Sequence, residues 1–275
     1  MTSPRRTIHT EPRRDSQGLA QTAAGYHATV LRLLRRLTAG DCQAADVHAI
    51  RTHCRRLQAL SELCGDDEQA AVMAESVSRL SKLRALQVFQ RYLAKIDAPQ
   101  ADRAVLQVRT MKKIQALQQK QVYGQIEQAV KNHALPTLTS PGRSLKDRLD
   151  ILRREHVQNL ERLIEAAKEK PRRKRLHALR LRLKTVRYQT EWLPGRSASK
   201  QQFVKRIKKV QTLLGHYEEL ADFRRWGKEL DVTIQARIQK DWKRARKRAR
   251  AVPADLAWLV ETLASGRLWS ETGRT

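Results

Sequence analysis

Leu179, Leu183, Val186 and Leu193 recur at a spacing that only an α-helix, turning about 100° per residue, gathers onto one face. The first three belong to the stretch Leu176–Trp192, LHALRLRLKTVRYQTEW, and Leu193 follows it directly. On the opposite side His177, Arg180, Lys184 and Arg187 lie within roughly 80° of one another on the helical wheel. The helix therefore offers an apolar stripe to a core and a row of one histidine and three cations to something else. A second copy precedes it at Val47–Leu60, VHAIRTHCRRLQAL, where His48, Arg51 and Arg55 repeat the offsets and Ile50, Cys54 and Leu57 form the apolar side. One such face reads as a solvated surface. Two in one chain predict an arrangement.

Nothing competes with helix elsewhere. Only 11 glycines and 8 prolines interrupt 275 residues, and no β-branched run alternates, so the fold class is all-α. A net charge of +28 makes a compact body self-repelling unless an anion neutralises it, so the partner is a polyanion or an anionic surface. The three cysteines, Cys42, Cys54 and Cys64, form no C-x-x-C, and Cys54 falls on a core face; a reduced, cytoplasmic setting is expected. The first residues hold no apolar run of a signal peptide, and no window is long and apolar enough to span a membrane.

Punctuation divides the chain. Residues 1–16 are polar and arginine-rich and read as a disordered basic arm. Helices are expected over about 19–37, 44–63, 68–94 and 101–132, the last bending near Gly124. The Pro136 to Gly142 region marks a linker, residues 135–143. Helices then follow over about 145–167, from Pro171 to Pro194, from Ser199 to Gly227 and over 231–251, with a short one after Pro253 and a frayed tail, 266–275. Four helices, a break and four helices, each set carrying the His/Arg row on its second member, predict two antiparallel four-helix bundles related by internal duplication. Their limits are 17–134 and 144–265, and the two rows line a basic groove or channel.

The rows suit anion binding. Arginine forks grip phosphate oxygens in pairs, lysines add point charges, and residues three or four apart reach neighbouring units of a linear polyanion. Lys205, Lys208 and Lys209 extend the set on the seventh helix, and Arg79 and Lys82 on the third. Metal binding is disfavoured: Cys42, His48, His53, Cys54 and Cys64 are near in sequence, but their spacings are not those of a zinc site. His27, His133 and His156 are isolated. The run Asp241–Arg250, DWKRARKRAR, spreads its cations around a helix instead of along a stripe. There is no Walker loop, H-E-x-x-H or G-x-S-x-G, and the charged faces carry few carboxylates, so neither catalysis nor a cofactor is expected. Scarce aromatics disfavour base stacking, which leaves nucleic acid, held non-specifically by charge, as the alternative partner.

The paired V/L-H-x-[IL]-R-x₃-[RK] helices resemble the CHAD family, the conserved histidine α-helical domain, and the likeness extends over roughly residues 20–265. LHALRLRLKTVRY followed by FVKRIKKVQTLLG is the closer copy; DVHAIRTHCRRLQAL also fits. The resemblance implies two duplicated helical bundles that bind inorganic polyphosphate through a basic groove, without catalysis, in association with polyphosphate granules. It implicates His48, Arg51, Arg55 and Arg56, then His177, Arg180, Lys184, Arg187 and Tyr188, with Lys205, Lys208 and Lys209 fitting less strictly. Departures are Gln58 and Thr185 where the family has cations, and Ala85 and Gln87 where it has acids after a retained Arg84. The matching segment of the second half, LGHYEELA, keeps Gly215 and Glu219. No E-x-E-x-K strand of the triphosphatase often fused to the family occurs.

Overall fold

The computed structural model describes residues 16–133, 145–193 and 197–270. The expected linker, nearly all of the N-terminal arm and the last five residues lie outside that range. Among the described residues the chain is all-helical, with no strand. The first half contains α1 (Ser16–Thr38), α2 (Ala44–Cys64), α3 (Asp67–Arg79), α4 (Ser81–Lys95), α5 (Gln100–Gln119) and α6 (Val122–Asn132). The second contains α7 (Leu145–Glu169), α8 (Arg173–Trp192), α9 (Ala198–Trp226), α10 (Val232–Ala251), a 3₁₀ turn (Val252–Asp255), α11 (Ala257–Ala264) and α12 (Arg267–Ser270).

Local chemistry sets the ends. Gly65 closes α2 in the left-handed conformation (φ +79°), so Asp66 N–H can return to Ser61 O at 2.9 Å. Asp66 then caps α3 by accepting from Gln69 N–H at 3.0 Å, and Ser197 and Asp231 cap α9 and α10 in the same way.

Two helices expected to be continuous are broken. The 68–94 segment breaks at Leu80 (φ −91°, ψ 0°), whose side chain is fully buried. The break is tied down by side chains: Val77 O accepts from Ser81 Oγ at 3.1 Å and from Arg51 Nη1. The 101–132 segment breaks at Gln121, which adopts positive φ (+50°), and not at Gly124, which sits in a regular turn of α6. Glycine marks where a break is inexpensive, and tertiary packing decided otherwise here. The expected fraying after residue 265 also fails over 267–270, a short helix that buries Leu268 and Trp269.

The apolar stripes of α2 (Val47, Ile50, Cys54, Leu57) and α8 (Leu176, Leu179, Leu183, Val186) are fully buried, as their periodicity requires. Burial drives the Cys54 thiol up to about 12, which leaves it protonated and inert at neutral pH. His133 and His156 are core residues. His133 bridges His27 Nε2 (3.1 Å) and Ser61 Oγ (2.9 Å), His156 meets Gln189 Oε1 (2.5 Å), and burial lowers their pKa values to about 4 and about 3.

The two halves share one hydrophobic core. Helix α2 packs on α8, and α4 packs on α9. Phe89 of α4 stacks on Phe223 of α9 with ring centroids 4.3 Å apart. Three hydrogen bonds also join the halves: Tyr92 Oη donates to Asp241 Oδ2 (2.9 Å), Trp192 Nε1 donates to Arg56 O (2.7 Å), and Asp231 N–H donates to Asp102 Oδ1 (3.0 Å). Phe223→Ala would empty the centre of this seam; a loss of about 3–5 kcal/mol in urea unfolding is expected, with a single transition retained.

Candidate functional site

Burying both stripes turns the polar faces of α2 and α8 into the same space. Lys184 sits among Arg180 and Arg187 of its own helix and Arg51 and Arg55 of α2. Helix α4 adds Arg84 and Arg91, which together with Arg51 and Lys184 act on His48. Seven cations and a histidine from three helices thus converge at the seam between the halves, and α9 closes the fourth side.

The electrostatic consequence is large. Burial, reinforced by the surrounding arginines, lowers the Lys184 ammonium from 10.5 to about 6, so at neutral pH it is mostly uncharged. Burial likewise brings Arg51 down to about 10 and lowers Arg55, Arg84, Arg180 and His48. The nearby acids are Glu219 and Glu218 of α9, both acting on Arg180; Glu219 also faces His216, Arg84 and Lys184, and desolvation outweighs these cations and raises its pKa. Among the described residues, no carboxylate forms an ion pair with Arg51, Arg55, Arg84, Arg180 or Lys184. Arg84 Nη1 and Arg180 Nε are buried donors without a hydrogen-bond partner among those residues. Buried donors left open in a positive field are what an incoming polyanion satisfies.

The scaffold aims these groups. Arg51 Nη1 donates to Ser81 Oγ at 2.7 Å and to Val77 O, so the break at Leu80 anchors one arginine of the cluster. Gly215 provides the floor under Arg180: a Cβ there would stand 3.0 Å from Arg180 Nη2, closer than the guanidinium tolerates without moving. Gln211 Nε2 donates to Leu183 O at 2.7 Å and fixes α8 against α9 at that level. The Arg187 guanidinium lies over the Tyr188 ring, 4.2 Å from its centroid, and pairs with Glu191 at 3.7 Å.

The other sequence candidates lie elsewhere. Arg56 leaves the cluster, pairing with Glu191 (3.5 Å) and lying over Tyr26. His177 begins the α8 row, but its Nδ1 stands 3.5 Å from Glu218 Oε2, which Arg173 also holds at 3.0 Å. Arg79 is committed to Glu75 (2.6 Å) and Gln125, and Lys82 stands near Lys113. Lys205, Lys208 and Lys209 line a pocket between α9 and α10 with His216 and Arg248, and it borders the cluster through His216, which also acts on Glu219.

Sequence reasoning missed Arg84, Arg91 and Glu219 as members of the cluster. The break at Leu80 explains the first two. A helix running unbroken from residue 68 puts Arg79 and Lys82 on its charged face; restarting at Ser81 resets the phase, and Arg84 and Arg91, seven apart, become the aligned pair. The signal was Ser81, a residue that favours caps and local backbone bonds.

Among the described residues, no helix is long and apolar enough to cross a membrane, and no group of three or more His, Cys, Asp or Glu is placed to hold a metal ion. A family profile for the CHAD domain matches residues 22–228. No curated protein sequence matches. Among solved structures, the crystal structure of the CHAD domain from the plant Ricinus communis is similar in fold, with 16% sequence identity, 98% of each chain covered and a TM-score of 0.56.

Proposed function

The chain belongs to the CHAD domain family, and from that premise we propose that it binds inorganic polyphosphate without transforming it, in a groove between α2 and α8. The observation that carries this reading is the convergence of Arg51, Arg55, Arg180 and Arg187 on Lys184, with no ion-paired carboxylate among the described residues to satisfy the first three or Lys184. A thin chain of phosphates brings one negative charge per unit and no side groups, so opposing arginine rows can close on it from both walls. Arg84 and Arg180 have open donors for its oxygens, and Lys184 regains its proton as negative charge arrives. His48 and Arg91 continue the α2 and α4 walls outward.

Glu219 balances the cluster in the absence of ligand, and its raised pKa lets it take up a proton when a polyanion displaces it. Glu218 is held by Arg173 and His177, and with Glu219 it makes no group of three metal-ligating side chains among the described residues, which supports binding without catalysis. The rows on α2 and α8 share their offsets, which supports a duplicated origin for the halves, 17–134 and 144–265. Association with polyphosphate granules follows as part of the same proposal.

Competition at fixed salt tests the reading. Long-chain polyphosphate is expected to displace duplex and single-stranded DNA at well below equimolar phosphate, because the site offers no stacking platform for bases. Equal or tighter binding of nucleic acid, scored by fluorescence anisotropy, would replace polyphosphate with nucleic acid as the partner.

A further inference from the structure

The pocket between α9 and α10, about 630 Å³ in volume, differs in chemistry from the arginine cluster. Its walls are mostly apolar, built from Leu213, Ala245 and the methylene stems of the lysines. Its rim carries four cations, Lys205, Lys208, Lys209 and Arg248, none of which has a carboxylate partner among the described residues. The volume and the combination of an apolar floor with a few charged groups are those of a small-molecule site.

Two simple ligands fit badly. A bare phosphate chain has nothing to bury on an apolar floor, and a singly charged amphiphile leaves three of the four cations uncompensated. We propose that this pocket binds a nucleoside polyphosphate: the phosphates between Lys205, Lys208, Lys209 and Arg248, the base laid on Leu213 and Ala245. A nucleoside triphosphate carries about as many negative charges as the rim has cations, and its base supplies the apolar body. The hydroxyl of Thr212, which also lines the pocket, donates to Lys208 O at 2.8 Å, and larger bases are favoured by buried area.

The full chain is titrated by calorimetry at fixed salt with ATP and with tripolyphosphate, which has a similar charge and no base. ATP is expected to bind about tenfold or more tightly than tripolyphosphate, from burial of the base. Arg248→Ala, at an exposed position, lowers ATP affinity by about tenfold, while long-chain polyphosphate binding changes by less than about twofold. Arg51→Ala with Arg180→Ala leaves ATP binding intact. Equal affinities for ATP and tripolyphosphate, or loss of ATP binding with the Arg51/Arg180 pair instead, would overturn the proposal. An unchanged polyphosphate affinity in the Arg51/Arg180 variant would refute the groove reading and leave the pocket result standing.

Discussion

Replacing Arg51 and Arg180 together by alanine is expected to lower affinity for long-chain polyphosphate by about a thousandfold. The two lie on opposite walls, α2 and α8, and burial lowers both guanidinium pKa values, so their charge acts on a ligand with little solvent screening. Truncating a desolvated arginine at the centre of an interface typically removes about 2 kcal/mol or more, and two such losses multiply to roughly three decades of affinity. Lys243→Ala with Lys247→Ala removes the same charge from the exposed face of α10 and should weaken binding by only about threefold. The slope of log affinity against log salt should fall by about two for the Arg51/Arg180 pair. Folding is spared, because each substitution removes a cation from a self-repelling cluster; Val77 O and Ser81 Oγ each lose a donor, and Ser81 Oγ still donates to Val77 O. Comparable losses for the two pairs, measured by calorimetry, would mean that diffuse charge and not a built groove does the binding.

Lys184→Met should stabilise the protein and weaken its grip at once. Between pH about 6 and pH about 10.5 the unfolded chain keeps this proton while the folded chain does not, so the lysine lowers stability at neutral pH and the deficit shrinks as pH rises. Methionine keeps the stem's packing and abolishes that deficit, raising stability at pH 7 by on the order of 3 kcal/mol, or roughly 5–10 °C in Tm. Binding has the opposite dependence. The bound polyanion holds Lys184 charged, so wild-type affinity should rise roughly fifty-fold as pH falls from about 8 to about 6, and the methionine variant should lose about one proton from that slope. Internal phosphates of a long chain stay ionised throughout, so the titration belongs to the protein. His48 and Glu219 both protonate in the same direction and account for the remaining slope. A variant that is no more stable, or whose binding keeps the full pH slope, would show that Lys184 is charged in the free protein.

Much of this was legible before any coordinates. Leu179, Leu183 and Val186 fixed the orientation of α8, and with it the direction in which Arg180, Lys184 and Arg187 face; Ile50, Cys54 and Leu57 did the same for α2. Periodicity encodes such faces because burial of the stripe leaves the row one place to point. The sequence did not reveal how a face is shared out. Arg56 follows Arg55 by one residue, yet 100° of rotation sends it to Glu191 and Tyr26. His177 opens the row, but it meets Glu218, a partner more than 40 residues away in the chain. Arg79 was lost to Glu75 and Gln125, while Arg84 and Arg91 replaced it because the helix restarts at Ser81. Most of these misses came from contacts between elements, which one helix's wheel does not contain; the Arg79–Glu75 pair, four apart on α3, is the exception.

The seam held by Phe89, Phe223, Trp192 and Asp102 has an avidity consequence. One wall of the site belongs to the first half of the chain and the other to the second, so the free energies of the two walls add and their affinities multiply. A fragment ending in the 134–144 region would not hold polyphosphate half as well as the whole chain. It would hold it at the weak affinity of one row, and the two fragments mixed in solution would recover tight binding only at concentrations where the seam itself re-forms.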